Sequence, residues 1–212
     1  MRTIEEILRL GPVLPVVTLR DVDQAVPLAR ALVAGGVRAV EITLRTPAGL
    51  GAIAAVARYV PDCLAGAGTV LSAEELRDAA EAGAAFAVSP GATPKLLQAA
   101  VAGPIPFLPG VASASELMAA RECGLTHFKL FPAAQVGGTG LLKSLAGPFP
   151  TARFCPTGGI DLKSAPDYLA LPNVLCVGGS WLAPEALIAA GDFDAIERLA
   201  REAANLGRGG PQ

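Results

Sequence analysis

Residues 37–72 read VRAVEITLRTPAGLGAIAAVARYVPDCLAGAGTVLS. A run rich in β-branched residues gives way to a turn, then to an alanine-rich stretch with helical spacing, then to a second apolar run. Short continuous apolar runs suit parallel strands covered on both faces, and the alternation suits βα units. The same pattern recurs along the chain. Its apolar runs are Val13–Leu19, Val37–Thr43, Cys63–Ala67, Phe86–Ser89, Pro106–Pro109, His127–Phe131, Arg153–Pro156 and Val174–Val177, eight in all. Eight βα units in about 200 residues predict a compact α/β fold, a (β/α)8 TIM barrel, with a doubly wound open sheet as the structural rival.

The segments between the runs carry helix punctuation. Asp21 or Asp23 opens a helix through Ala34 that stops at Gly35-Gly36, and Ser72 opens one that stops at Gly83. Ser113 or Ser115 begins another ending at Gly124, and Thr93, Thr139 and Asp161 are further starts. Thr3–Leu10 reads as an extra N-terminal helix and Phe193–Leu206 as an extra helix after the eighth unit. No compositional break marks a boundary, so residues 1–212 read as a single domain with a fraying GRGGPQ tail.

Composition narrows the function. The chain is 52% apolar and 17% charged with a formal net charge of −2, which argues against nucleic-acid and anionic-membrane partners. The acidic amphipathic start MRTIEEIL does not read as a signal peptide, and no run reaches the length of a membrane span, so a cytoplasmic protein is expected. Cys63, Cys123, Cys155 and Cys176 lack CxxC spacing and His127 is the single histidine, which argues against a metal site.

Barrels of this kind build their sites at the C-terminal ends of the strands. Those ends here read VEITLRT, GAGT, SPG, PGV, HFKLFPA, PTGG and GGS. Of the four lysines, Lys95, Lys143 and Lys163 fall in or beside helices, whereas Lys129 stands between Phe128 and Leu130 inside a strand. An ammonium there is costly unless paired, and a desolvated amine is the nucleophile that imine chemistry needs. Glu41 likewise interrupts the apolar run AVEITL and suits proton transfer. A plain salt bridge between the two is the other reading of the pair. Arg45 is placed to hold a substrate carboxylate or to cap a loop, and Thr69 is a rim hydroxyl or a turn residue. Gly158-Gly159 and Gly178-Gly179-Ser180 occupy the two loops where such barrels frequently hold phosphate. His127, two residues before Lys129, shares its side of the strand and reads as a hydrogen-bonded core residue.

Taken in order, VEITLRT, GAGTV, SPG, FKLFPA, PTGGI and VGGSWL resemble the KDPG/KHG aldolase family from about Gly11 to Leu206. The resemblance implies a metal-free class I aldolase on a TIM barrel, with no cofactor, assembled as a homotrimer. It implies cleavage of a phosphorylated keto-sugar acid, 2-keto-3-deoxy-6-phosphogluconate, to pyruvate and glyceraldehyde 3-phosphate. Whether 4-hydroxy-2-oxoglutarate is also cleaved, to pyruvate and glyoxylate, stays open at this point. By matching motif, Lys129 is the Schiff-base lysine and Glu41 the proton shuttle. Arg45 and Thr69 bind the carboxylate end, Pro90 and Phe131 border the site, and Thr157 contacts a substrate hydroxyl. Gly158, Gly159, Gly179 and Ser180 hold the phosphate. Ala134-Gln135 follow FPA where phosphogluconate-type members often carry an acidic residue, which leaves substrate preference less defined than reaction type. A phosphate-binding isomerase or epimerase, with Glu41 as base, and a non-catalytic sugar-acid-binding barrel are the alternatives.

Overall fold

The computed structural model describes residues 2–206; the GRGGPQ tail lies outside the described residues. Helix α1 (Ile4–Leu8) begins at Thr3, whose hydroxyl accepts from the Glu6 amide while Glu6 reaches back to the Thr3 amide. The strands are β1 (Val13–Val17), β2 (Ala39–Thr43), β3 (Leu64–Gly68), β4 (Phe86–Val88), β5 (Phe107–Leu108), β6 (Gly110–Val111), β7 (His127–Leu130), β8 (Arg153–Phe154) and β9 (Val177–Gly179). Between them run α2 (Ala25–Ala34), α3 (Gly49–Tyr59), α4 (Ala73–Glu81), α5 (Pro94–Ala102), α6 (Ala114–Glu122), α7 (Gly138–Ala146) and α8 (Ala165–Leu169), followed by α9 (Glu185–Ala190) and α10 (Phe193–Ala204).

All strand pairings are parallel, in the orders β5-β4-β3-β2-β1-β9 and β6-β7-β8. Isolated parallel bridges join Phe154 to Val174 and Thr157 to Gly178. A doubly wound sheet reverses its strand order in the middle. This one runs in sequence order with its last strand beside its first, so the architecture is an α/β fold with a curled parallel sheet.

Period-two alternation divides the apolar residues between two cores. Val13, Val17, Val40, Ile42, Ala87, Phe107, Phe128, Leu130, Phe154 and Val177 join the large cluster shared with the helices. Leu14, Ala39, Phe86, Val88, Leu108, Cys155 and Cys176 form a smaller one with Ile7 and Leu8 of α1. Extending the second parity toward the strand C-termini gives Glu41, Thr43, Lys129 and Thr157. One face of the sheet is thus oily at one end and polar at the other.

Local chemistry accounts for most element ends. Ser72, Thr93 and Ser113 accept from the amides of Glu75, Leu96 and Glu116, capping α4, α5 and α6. Asp21 caps a short 3-10 turn at Val22–Gln24 that leads into α2. Past α2 and α4, Gly36 and Gly83 adopt φ of +91° and +89°, which side chains rarely tolerate.

Several expectations need correction. The first run stops at Val17; Thr18, just past it, falls opposite Thr43 in the β1–β2 register, and their hydroxyls bond at 2.8 Å. The fifth run is split into β5 and β6 by Pro109, which has no amide to donate although its carbonyl accepts from Lys129 at 2.8 Å. The eighth strand lies at Val177–Gly179 rather than Val174–Val177. Val174 and Leu175 are occupied by Phe154, and the glycines pair with Leu14 and Pro15. Thr139 does not start α7, which begins at Gly138 behind a left-handed Gly137. Asp161 closes a turn by accepting from Ser164 at 2.8 Å, and α8 begins only at Ala165. The last helix ends at Ala204.

His127 lies where α1 meets the sheet. Its Nδ1 is 3.0 Å from the Thr126 hydroxyl, and its Nε2 is 3.7 Å from Glu5 with no hydrogen-bond partner among the described residues. Burial pushes its pKa down from 6.5; Glu5 opposes this, and Arg153 and Arg9 add to it. A depressed imidazole makes the unfolded chain the stronger proton binder, so stability is complete above pH 6.5 and declines as pH falls through the folded value. Glu5, Glu6 and Asp161 have lowered pKa values and lose their contribution only in more acid solution, below 4.5 for the glutamates and below 3.8 for Asp161. The melting temperature should therefore fall between pH 7 and pH 5, and His127→Gln should flatten that segment of the profile. An unchanged slope in the variant would contradict this assignment.

Candidate active site

Glu41 on β2 and Lys129 on β7 come from strands that are not neighbours in the sheet, yet their side chains meet inside the curl. Nζ lies 2.9 Å from Oε1 and 3.2 Å from Oε2. The residues are 1% and 5% exposed, so each charge relies on the other in place of water. The ammonium also stands 5.4 Å from the centroid of the half-buried Phe131 ring, within cation–π range. The Lys129 amide is fixed by Pro109 and the strand pairs with Gly110, so the lysine is carried on ordered backbone.

Two residues beyond Glu41, on the same face, Thr43 is fully buried and hydrogen-bonded to Thr18. Two further on, Arg45 is exposed and donates from Nε to the Thr69 hydroxyl at 3.1 Å. Thr69 has φ of +59°, the one positive value at a non-glycine among the described residues. Left-handed backbone costs a threonine about 1–2 kcal/mol, and here it accompanies a hydroxyl held against a guanidinium.

A cavity of about 430 Å³ opens beside this group. Arg45, Thr157, Gly158, Gly159, Gly179 and Ser180 all line it. Gly158 and Gly159 take φ of +102° and +71°. Among the described residues, the amides of Gly158, Gly159 and Ser180 donate to no protein acceptor, leaving donors for an anion. Thr157 is buried, 3.4 Å from the Cys155 carbonyl, with its side chain against Gly178. Arg20 and Glu185 pair at 3.5 Å across exposed surface nearby.

Glu41, Lys129, Thr69, Pro90 and Phe131 are not part of the cavity wall. The first two meet each other, Phe131 borders the lysine, and Thr69 joins through Arg45. Pro90 is half-buried, with its carbonyl packed on Gly110, the strand partner of Lys129. Sequence reasoning missed Thr18, Thr43 and Trp181. Thr43 was findable, since period two puts it on the Glu41 face; Thr18 enters through the β1–β2 register, which sets it opposite Thr43, and Trp181 lines the cavity. Among the described residues no cluster of acidic, histidine or cysteine side chains suits a metal ion, and no helix is long and apolar enough to cross a membrane.

Known proteins resemble this chain over nearly its whole length. The KHG/KDPG aldolase of Escherichia coli K12 is 54% identical over 199 residues, covering 94% of this chain and 93% of its own. The KDPG aldolase of Legionella pneumophila, solved with pyruvate captured as a covalent carbinolamine intermediate, superposes with a TM-score of 0.93 at 46% identity over 94% of this chain and 97% of that one. The Zymomonas mobilis ZM4 enzyme, solved with 3-phosphoglycerate, gives 0.92 at 49% identity over 99% and 98%. Residues 4–199 match the family described as KDPG and KHG aldolase, and with identity near one half along the full length, the chain belongs to that family.

Proposed function

We propose that the chain is a class I aldolase cleaving 2-keto-3-deoxy-6-phosphogluconate to pyruvate and glyceraldehyde 3-phosphate, with 4-hydroxy-2-oxoglutarate as a second substrate cleaved to pyruvate and glyoxylate. The observation that carries this reading is the buried Lys129–Glu41 contact at 2.9 Å. Moving one proton from Nζ to the carboxylate produces a neutral amine and a carboxylic acid side by side. The amine attacks the C2 ketone as Glu41 protonates the oxygen. The nitrogen returns its surplus proton to Glu41, which passes it to the departing hydroxyl, and water leaves behind a cationic imine. Glu41 then takes the C4 hydroxyl proton, the C3–C4 electron pair flows into the imine, and the aldehyde departs from an enamine. Protonation at C3 by Glu41 and hydrolysis release pyruvate and the lysine.

The remaining groups bind. Arg45 and Thr69 hold the carboxylate end, Phe131 and Pro90 border the reacting carbons, and Thr157 meets a substrate hydroxyl. The free amides at Gly158, Gly159 and Ser180, with Gly179, take the phosphate. Anchoring charge far from the breaking bond orients the reacting carbons. The Zymomonas complex with 3-phosphoglycerate and the Legionella carbinolamine support the two ends of this assignment.

The curled sheet belongs to this reading as a closed (β/α)8 barrel in one domain, with β5 and β6 as one strand interrupted at Pro109 and α1 as an extra helix over the N-terminal mouth. The bridges Phe154–Val174 and Thr157–Gly178 support closure. The chain is further read as a cytoplasmic homotrimer. Free, buried Cys155 and Cys176 suit a reducing compartment, and Leu71 and Met118, exposed 59% and 54%, offer apolar surface for self-association.

Lys129→Ala should abolish pyruvate release while the protein stays folded by circular dichroism; substantial cleavage by the purified variant would overturn the assignment. Arg45→Lys keeps the charge but loses the fork, so KM should rise about tenfold or more with kcat little changed. A collapse of kcat at constant KM would instead place Arg45 in the chemical step.

A further inference from the structure

We propose that Gly68 is a positioning residue for the proton shuttle: the space left by its missing side chain holds the Glu41 carboxylate and aims it at Lys129. The inference rests on the reading of Glu41 as that shuttle. In the β2–β3 register Glu41 stands opposite Gly66 and Thr43 opposite Gly68. The Glu41 side chain leans toward the strand C-termini and lies over Gly68, one step along. A methyl group built on Gly68 would sit 2.5 Å from Glu41 Cγ and 2.9 Å from Cδ and would overlap Oε1. Such separations are not sustained by real side chains, so the carboxylate would have to move.

Its room to move is limited. Glu41 is 1% exposed, and Thr43, next on the same face, is fully buried and tied to Thr18. Displacement from β3 can go only into the interior, where Lys129 already holds both carboxylate oxygens at 2.9 and 3.2 Å. Those are the separations across which the proton must pass. The backbone makes no separate demand for glycine, because Gly68 is absent from the residues at positive φ. What the site requires at position 68 is empty space beside a carboxylate. An alanine there tests that requirement with no added backbone strain.

The test is a double-mutant cycle of Gly68→Ala and Glu41→Ala, reading melting temperature and kcat and KM for 2-keto-3-deoxy-6-phosphogluconate, with borohydride trapping of pyruvate on each protein. Gly68→Ala alone should lower kcat by about 100-fold, the scale of a misplaced general acid–base group, while Lys129 still traps pyruvate. Alanine at position 41 ends at Cβ and keeps none of the atoms that a Gly68 methyl would meet, so in its background the same alanine should cost no more than about twofold of the residual turnover and leave the melting temperature unchanged. An equal loss in both backgrounds, or a Gly68→Ala enzyme within about twofold of the parent, would overturn the proposal. Should Gly68→Ala alone fail to fold, a folded double variant supports the clash, and an equally unfolded one refutes it. Failure of the underlying reading looks different: Glu41→Gln would then retain full turnover.

Discussion

An ammonium and a carboxylate removed from water and held 2.9 Å apart organise this molecule. Taking both charges out of solvent costs several kcal/mol each, and their attraction returns that only when geometry is good. Replacing such a pair by apolar side chains is often neutral or stabilising, so stability alone gives no reason for Lys129 and Glu41 to be where they are. A reaction that needs an amine and a proton carrier within one hydrogen bond of each other does give one. The contact also constrains the sheet. Strands β2 and β7 can bring their side chains together only if the sheet between them curls, and the strand order and bridges follow that curl.

The same face of the sheet serves two purposes along its length. Near α1 it is filled with Leu14, Ala39, Phe86, Cys155 and Cys176, an apolar plug that excludes water from below. Toward the strand C-termini the same parity delivers Glu41, Thr43, Lys129 and Thr157. Small residues make the change possible: side chains of Glu41 and Thr157 lie against Gly68 and Gly178, where any Cβ would collide. Beyond the strands, the turns place free amides of one loop pair on the wall of the same cavity as Arg45, which Thr69 holds.

Much of this was legible because the anomalies were local. A lysine between Phe128 and Leu130, and a glutamate within AVEITL, violate the apolar pattern that surrounds them, and such violations mark functional positions. The serine and threonine caps of α4, α5 and α6 were readable for a similar reason, since a cap and its amide lie three residues apart. What escaped was tertiary. Thr18 meets its partner, 25 residues away, only through the β1–β2 register, and Gly68 matters for a side chain on the neighbouring strand. The eighth strand was placed too early because Val174 and Leu175 have higher strand propensity than Gly178 and Gly179, and register with β1 overrode that preference. Thr139 and Asp161 resemble helix caps in isolation, but a left-handed Gly137 and a side-chain turn at Ser164 decide those starts.

A covalent imine between Lys129 and a substrate ketone can be trapped by reduction. Pyruvate and borohydride are incubated with the wild-type protein, and the digest is mapped by mass spectrometry. A reduced pyruvyl adduct is expected on Lys129 and on none of Lys95, Lys143 or Lys163. Absence of any adduct, with Lys129 shown to be reachable by a small amine-reactive reagent, would contradict the imine and favour a base-catalysed isomerase or a binding protein on the same fold.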